Sequence, residues 1–241
     1  MKNRLRVLIV SALVLTIQSS IGQDLKEFFS NTDSFLKNTV QYGRVDYAAI
    51  KNSPERLNAL VAAAKEIRVA ETDAANYQAF WINTYNILVI HGVVNNYPLK
   101  SPLRVSGFFD TITYEVGGEN ITLNDIENKM LRANFPKESR FHFVLVCAAL
   151  GCPPIINAAY KPATLDAQLQ KQTLKALNND NFIRINKEEV QISQIFQWYT
   201  EDFTKSSASL VDYINTYRTE KLPENSKVTY YPYDWTLNLV N

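Results

Sequence analysis

The segment from about Asp73 to Asn95, DAANYQAFWINTYNILVIHGVVN, constrains the fold more than any other part of the chain. Its apolar residues cover nearly the whole circumference of a helix, so it belongs at the centre of a core rather than on a surface. Asn95-Asn96-Tyr97-Pro98 ends it, because the proline forbids helical continuation. The polar residues on so apolar a helix stand out. At about 100° per residue, Asn83, Ile87, Ile90 and Val94 share one stripe, with Asn86 about 60° to one side and His91 about 80° to the other. Buried there, each amide or imidazole needs a hydrogen-bond partner or costs about 1–3 kcal/mol. Tying neighbouring loops together through their backbone is the ordinary solution. Contact with a substrate is the alternative, and Trp81 on the same helix joins Asn83 and Asn86 as a candidate substrate contact.

The remaining elements are shorter and mixed. Leu25, Phe28, Phe29, Phe35 and Leu36 fall at helical spacing between Asp24 and Val40. Val45-Asp46-Tyr47 reads as extended, and Ser53-Pro54 opens a helix to about Ile67. Phe109 to Val116 alternates like a strand, turns at Gly117-Gly118 and returns over Asn120–Thr122. Leu123 to Arg132 is a short helix capped by Asn124 or Thr122. His142 to Ala148 has the length and apolarity of a buried strand. Thr164 caps a helix to about Asn178; Phe182–Ile185 and Val190–Ile192 form a hairpin. Helices follow over Ser193–Tyr199 and Ser207–Tyr217, before an aromatic tail with Tyr230, Tyr231, Tyr233 and Trp235. The expected class is α+β: a single domain with a central buried helix, a small mixed sheet with hairpins, and peripheral helices.

The composition excludes much. Seven glycines, none in a G-x-G arrangement, leave no dinucleotide fingerprint, P-loop or G-x-S-x-G elbow. With two histidines there is no H-E-x-x-H zinc helix and no cage of three or more histidines; no cofactor is expected and no residue is assigned to a metal. The start, MKNRLRVLIVSALVLTIQSSIGQ, has a basic head, an apolar core too short to span a bilayer, and small residues at Ser20 and Gly22. It reads as a secretory signal peptide over residues 1–22, with residues 23–241 as the exported domain, periplasmic or extracellular. Removing Lys2, Arg4 and Arg6 turns a net charge of +1 mildly acidic, which leaves no electrostatic footprint for nucleic acid. No stable membrane insertion is expected after cleavage.

The chemistry concentrates in RFHFVLVCAALGCPPI, residues 140–155, which holds one of the two histidines and both cysteines. A thiolate nucleophile needs a base, so His142 with Cys152, or His91 with Cys147, are the candidate pairs. Strand parity would turn His142 away from Cys147, whereas the turn after the strand brings Cys152 back. Three other readings stay open: a disulfide favoured by an oxidising compartment, a packed and inert thiol pair, and a Cys/His metal site. Glu127 could orient an imidazole, the third role in triad logic. Trp198 and Trp235 lie in aromatic stretches that are core by default and would also suit a small-molecule, glycan or peptide ligand.

Five segments in order, FWINTYNILVIHGV (80–93), ITLNDIENKMLR (121–132), FHFVLVCAALGCPPI (141–155), QWYTEDF (197–203) and YDWTLN (233–238), resemble the domain of unknown function 547 family over roughly residues 75–240. The family is found in exported bacterial proteins and within larger eukaryotic ones, and it has no assigned activity. The resemblance maps its recurrent positions onto Asn83, Asn86, His91, Glu127, Arg132, His142, Cys147, Cys152, Tyr160, Trp198, Asp202, Phe203, Asp234 and Trp235. Asn128 stands where the family usually has histidine. The resemblance implies that members with both cysteines occur inside cells as well as outside, which makes an obligatory structural disulfide less expected than secretion alone implies.

These observations lead to an expected cysteine-dependent hydrolase of amides or thioesters, such as a peptide or cell-envelope fragment. Cys152 would be nucleophile, His142 base and Glu127 orienting group, with Cys147 and His91 as further catalytic candidates. The alternatives are a non-enzymatic ligand-binding or scaffold domain, and a metal site.

Overall fold

The computed structural model describes residues 24–186, 189–223 and 225–240. The segment read from sequence as a signal peptide, residues 1–22, lies outside the described residues. The architecture is α+β, with helices around small two- and three-stranded sheets and one contiguous hydrophobic core.

At its centre runs α4 (Ala74–Asn96), capped by the Asp73 side chain on the Asn76 amide. It is buried from Tyr77 to Val94 with few interruptions, as apolarity on every side requires. Helix α1 (24–39) buries all five of its predicted apolar positions, and Phe28 meets Phe80 of α4 at 5.4 Å between ring centroids. Next come β1 (Val40–Gln41) and β2 (Arg44–Val45). Asp46 then caps α2 (Tyr47–Asn52) by accepting from the Ala49 amide, so Tyr47 begins a helix instead of ending a strand. Ser53 closes α2, and Pro54 is the N-cap of α3 (Glu55–Glu66).

The hairpin of β3 (Thr113–Val116) and β4 (Glu119–Thr122) turns at Gly117-Gly118, both at positive φ. That backbone region costs glycine nothing and other residues dearly. The turn has a second use: its two amides donate to the Ala64 and Lys65 carbonyls, satisfying orphan groups at the end of α3. Thr122 and Asp125 form a reciprocal capping box on α5 (Leu123–Asp125). The helix then widens into a π-turn over Ile126–Arg132, with the Ala133 amide donating to the Asn128 carbonyl five residues back. Single π-turns of this kind are frequent at functional sites.

The expected strand over His142–Ala148 does not form. Ser139–Phe143 is a 3-10 turn, and the chain beyond it runs irregularly. Its apolarity is that of a buried segment, but among the described residues it joins no sheet, and the tail meets it only at its end, where the Asn238 amide donates to the Ala148 carbonyl. Asn86 of α4 supplies the hydrogen bonds in place of a paired strand: its amide donates to the Val144 carbonyl at 3.0 Å, and its oxygen accepts from the Val146 amide at 2.9 Å.

After α6 (Leu165–Leu177) come β5 (Ile183–Asn186) and β6 (Glu189–Ser193), the expected hairpin. Thr164 precedes α6 without a side-chain capping bond. Then follow α7 (Gln194–Trp198), α8 (Thr200–Thr204) and α9 (Leu210–Tyr217). β7 (Lys227–Tyr231) returns parallel to β6. The tail beyond it docks on the cysteine loop: the Gly151 and Leu150 amides donate to the Asp234 and Thr236 carbonyls, both at 2.8 Å. Gly151 permits this approach, since a Cβ there would sit 2.9 Å from the Asp234 nitrogen and 3.0 Å from the Tyr233 ring. Among the described residues no helix is long and apolar enough to cross a membrane.

Candidate functional site

A cavity of about 320 Å³ opens where the π-turn, the 3-10 turn, the cysteine loop, α7 and the tail meet. Glu127, His142, Cys147, Cys152, Trp198 and Trp235 all line it. Five segments remote in sequence thus deliver most of the expected chemistry to one place.

His142 is buried. Its Nε2 lies 3.0 Å from Asp202 Oδ2, on α8. Asp202 Oδ2 also accepts from Arg132 Nε at 2.6 Å, and Oδ1 accepts from Lys205 Nζ at 2.9 Å. Burial alone would raise the Asp202 carboxyl. Hydrogen bonds from His142, Arg132 and Lys205 outweigh burial and hold it far below the usual carboxylate range. An ionised carboxylate only accepts, so Nε2 of His142 carries a proton and donates to Asp202. The ring lies against Tyr199, 4.1 Å between centroids, and against Phe203 at 5.1 Å. Asn128 accepts from the Arg132 guanidinium and so steadies the same network.

The carboxylate that touches His142 is therefore Asp202, and the orienting role expected of Glu127 falls to it. Glu127 sits half-buried elsewhere on the cavity wall. Burial first, and then the Glu127 charge, keep the hydroxyls of Tyr85 and Tyr199 well above their ordinary pKa.

Cys147 and Cys152 are joined in a disulfide, and the chain has no other cysteine. This decides among the options left open by the sequence and removes both as free nucleophiles in this state. The Tyr233 hydroxyl reaches both sulfurs, 2.9 Å from Cys147 Sγ and 2.8 Å from Cys152 Sγ. The Cys147 amide donates to Cys152 Sγ at 3.0 Å. Burial drives the Tyr233 hydroxyl far above its ordinary pKa, so it remains a protonated donor. Cys152 is 8% exposed, while Cys147 is the more open of the two. Within the loop, Ala148 adopts φ +60°, a left-handed conformation that a side chain disfavours.

The other candidates lie elsewhere. His91 lines a separate cavity with Lys65, Tyr114 and Glu115, and its ring nitrogens face Asn95. The pairing of His91 with Cys147 is not made. Asn83 is spent on backbone, donating to the Ala79 and Tyr160 carbonyls and accepting from the Tyr160 amide. Asn86 is spent in the same way on residues 144 and 146. Both are loop ties, not substrate contacts. Trp81 is buried against Tyr77 and Phe80 and does not line the cavity. Among the described residues no three His, Cys, Asp or Glu side chains gather to hold a metal, and the Cys/His metal reading fails because the disulfide consumes both sulfurs.

Sequence reasoning passed over Tyr233 and Phe109 as site residues, and it gave Asp202 and Arg132 no role of their own. Asp202 and His142 are 60 residues apart, and no local periodicity links them. The family positions alone hinted at Asp202 and Arg132.

Residues 69–175 match the model of the family described as protein of unknown function, DUF547. The match supports the resemblance read from the motifs. It spans α4, the π-turn and the cysteine loop, while the α7–α8 and tail motifs lie beyond it. The family description assigns no activity. No curated protein and no solved structure matches the chain.

Proposed function

We propose that the cavity is a thiol–disulfide exchange site, in which Cys147 and Cys152 form a redox couple acting on a small thiol or disulfide. The observation that carries this reading is the asymmetry of the pair. Cys147 Sγ is the more open sulfur, and Cys152 Sγ has two donors waiting, Tyr233 O–H at 2.8 Å and the Cys147 N–H at 3.0 Å. An incoming thiolate attacks Cys147 Sγ and forms a mixed disulfide there. The Cys147–Cys152 bond breaks, and its electron pair goes to Cys152 Sγ, where the two donors hold the thiolate. A second thiol attacks the substrate sulfur of the mixed disulfide and releases the oxidised substrate, with both protein thiols reduced. Donor-stabilised thiolates leave faster, which is what the arrangement around Cys152 favours. Export, as read from residues 1–22, would place the couple in a compartment that keeps it oxidised.

A second reading rests on a separate observation, the His142–Asp202 pair on the same wall. In the dithiol state Cys152 would serve as nucleophile and His142 as base, giving the thioester or amide hydrolase expected from the sequence.

One experiment separates them. The protein is equilibrated across glutathione redox buffers, and free thiols are trapped with a mass-tagged maleimide. Exchange requires that the pair open within the glutathione range and that Tyr233→Phe slow opening by about tenfold. A pair that stays closed down to about −300 mV is structural and overturns the exchange reading. The hydrolase reading requires that the reduced protein turn over a thioester and lose that activity in both Cys152→Ala and His142→Ala.

A further inference from the structure

The cavity wall carries a carboxylate, Glu127, that no cation bonds directly: among the described residues it takes part in no ion pair. The nearby guanidinium of Arg132 is committed to Asp202. Around Glu127 the wall is aromatic. Tyr85 and Phe109 form part of it, and Trp198, Tyr233 and Trp235 form a cluster on the other side. Within that cluster, Tyr233 meets Trp235 at 4.8 Å and 54°, and Trp198 at 5.1 Å and 49°. Phe109 adds a further ring 6.1 Å from Trp235. Trp198 and Trp235 themselves lie near-parallel, 6.2 Å apart at 26°, with the Tyr233 ring tilted across both. Trp198, 47% exposed, stands at the outer edge of the cluster.

A half-buried carboxylate that shares a cavity with several aromatic rings favours one kind of guest. The negative ring faces attract a cation, and a soft alkylated ammonium loses little hydration on entering. The carboxylate supplies the countercharge that the protein withholds. A neutral sugar would use the rings but leave Glu127 desolvated with only the neutral Tyr199 hydroxyl as partner, and an anion would be repelled. We infer that the cavity binds a ligand bearing a cationic amine, of the quaternary or alkylated ammonium class, with Glu127 as its counter-ion and Phe109, Trp198, Tyr233 and Trp235 as its aromatic cage. This rests on the cavity of the proposed function but not on its thiol chemistry. Where both hold, the substrate is an amine-bearing thiol or disulfide.

The test uses the oxidised full-length protein and needs no thiol reagent, so it succeeds or fails independently of the exchange reading. Choline is titrated while tryptophan fluorescence reports on Trp198 and Trp235. The expected result is saturable binding of choline, at least tenfold tighter than that of its uncharged isostere 3,3-dimethylbutan-1-ol. Glu127→Gln is expected to weaken choline binding about tenfold while leaving the isostere unaffected. Equal affinity for choline and the isostere overturns the inference. So does saturation by glucose with none by choline. The two-ligand comparison on the unmodified protein decides the matter even if the Glu127 variant fails to fold.

Discussion

The chain's two histidines occupy opposite kinds of surroundings. His142 is held by a carboxylate that two cations also grip, with an aromatic ring stacked on it and a cavity beside it. His91 sits in the middle of the most apolar helix, its ring edge-on to Tyr114 and its nitrogens facing only an amide. Burial pushes the His91 imidazole below its ordinary pKa, so it stays neutral where His142 has an anion at hand. The contrast shows that partners, and not burial or helix position, give a histidine its chemical task. Both histidines line a cavity, but only His142 has an anion bonded to its ring.

The strongest test of that contrast removes the anion. Asp202→Asn removes the charge that Arg132 and Lys205 share and leaves one acceptor oxygen for three donors, and the loss expected is about 3 kcal/mol, at the lower end for a broken buried pair because both cations are partly exposed. Urea unfolding at neutral pH measures it. The acid limb offers a second readout. The unfolded aspartate takes up a proton near its ordinary value of about 3.9, while the folded one resists to much lower pH. The Asp202 contribution is therefore complete above about pH 4 and fades as the pH falls towards the folded value. In Asp202→Asn that part of the acid loss should vanish. A variant as stable as the parent at both pH values would reduce the network to ornament and erase the distinction between the two histidines.

A smaller effect is expected at Asn86, which lies on the helix of His91 yet serves the segment after His142. Asn86→Ala leaves the Val144 carbonyl and the Val146 amide buried without partners, at a cost of about 2 kcal/mol. The substitution should also loosen the cysteine loop, which a faster maleimide reaction of the reduced protein would report. Loss of stability with unchanged thiol reactivity would mean that the α4 clamp and the cavity are independent.

Asn86 also shows where sequence reasoning succeeds and where it stops. The α4 helix is legible because apolarity around a full circumference has one physical solution. The Gly117-Gly118 turn is legible because positive φ selects glycine. Residues 142–148 misled because a run of apolar β-branched residues reports burial, not pairing, and here a side-chain amide stands in for the missing strand. The convergence of Glu127, His142, Cys147 and Cys152 on one cavity was foreseeable from their confinement to a few motifs. That Asp202, not Glu127, would meet His142 was not. A salt-bridge partner is chosen by the packing of α8 against the 3-10 turn, and spacing along the chain carries no trace of it. β7 was missed for the same reason, since its parallel partner β6 lies far back in the sequence.

The mildest effect concerns His91 itself. A histidine whose folded pKa is depressed contributes stability that is whole above the unfolded value of about 6.5 and is lost as the pH falls below it, because the unfolded chain binds the proton first. Stability between pH 7 and pH 5 should therefore slope downward by a fraction of a kcal/mol more in the parent protein than in His91→Gln, which keeps a polar tip beside Asn95 and cannot titrate. Tyr114 bears on the same test, because its hydroxyl is buried without a partner and packs against Gly92, one residue from His91. The titratable groups lining this cavity with His91 are Lys65, Tyr114 and Glu115, and Lys65 and Glu115 are already paired with each other at 2.9 Å. Neither is poised to stabilise an imidazolium. If His91→Gln instead steepened the slope, the imidazole would have to be charged in the folded state, and some anion would be serving it as Asp202 serves His142.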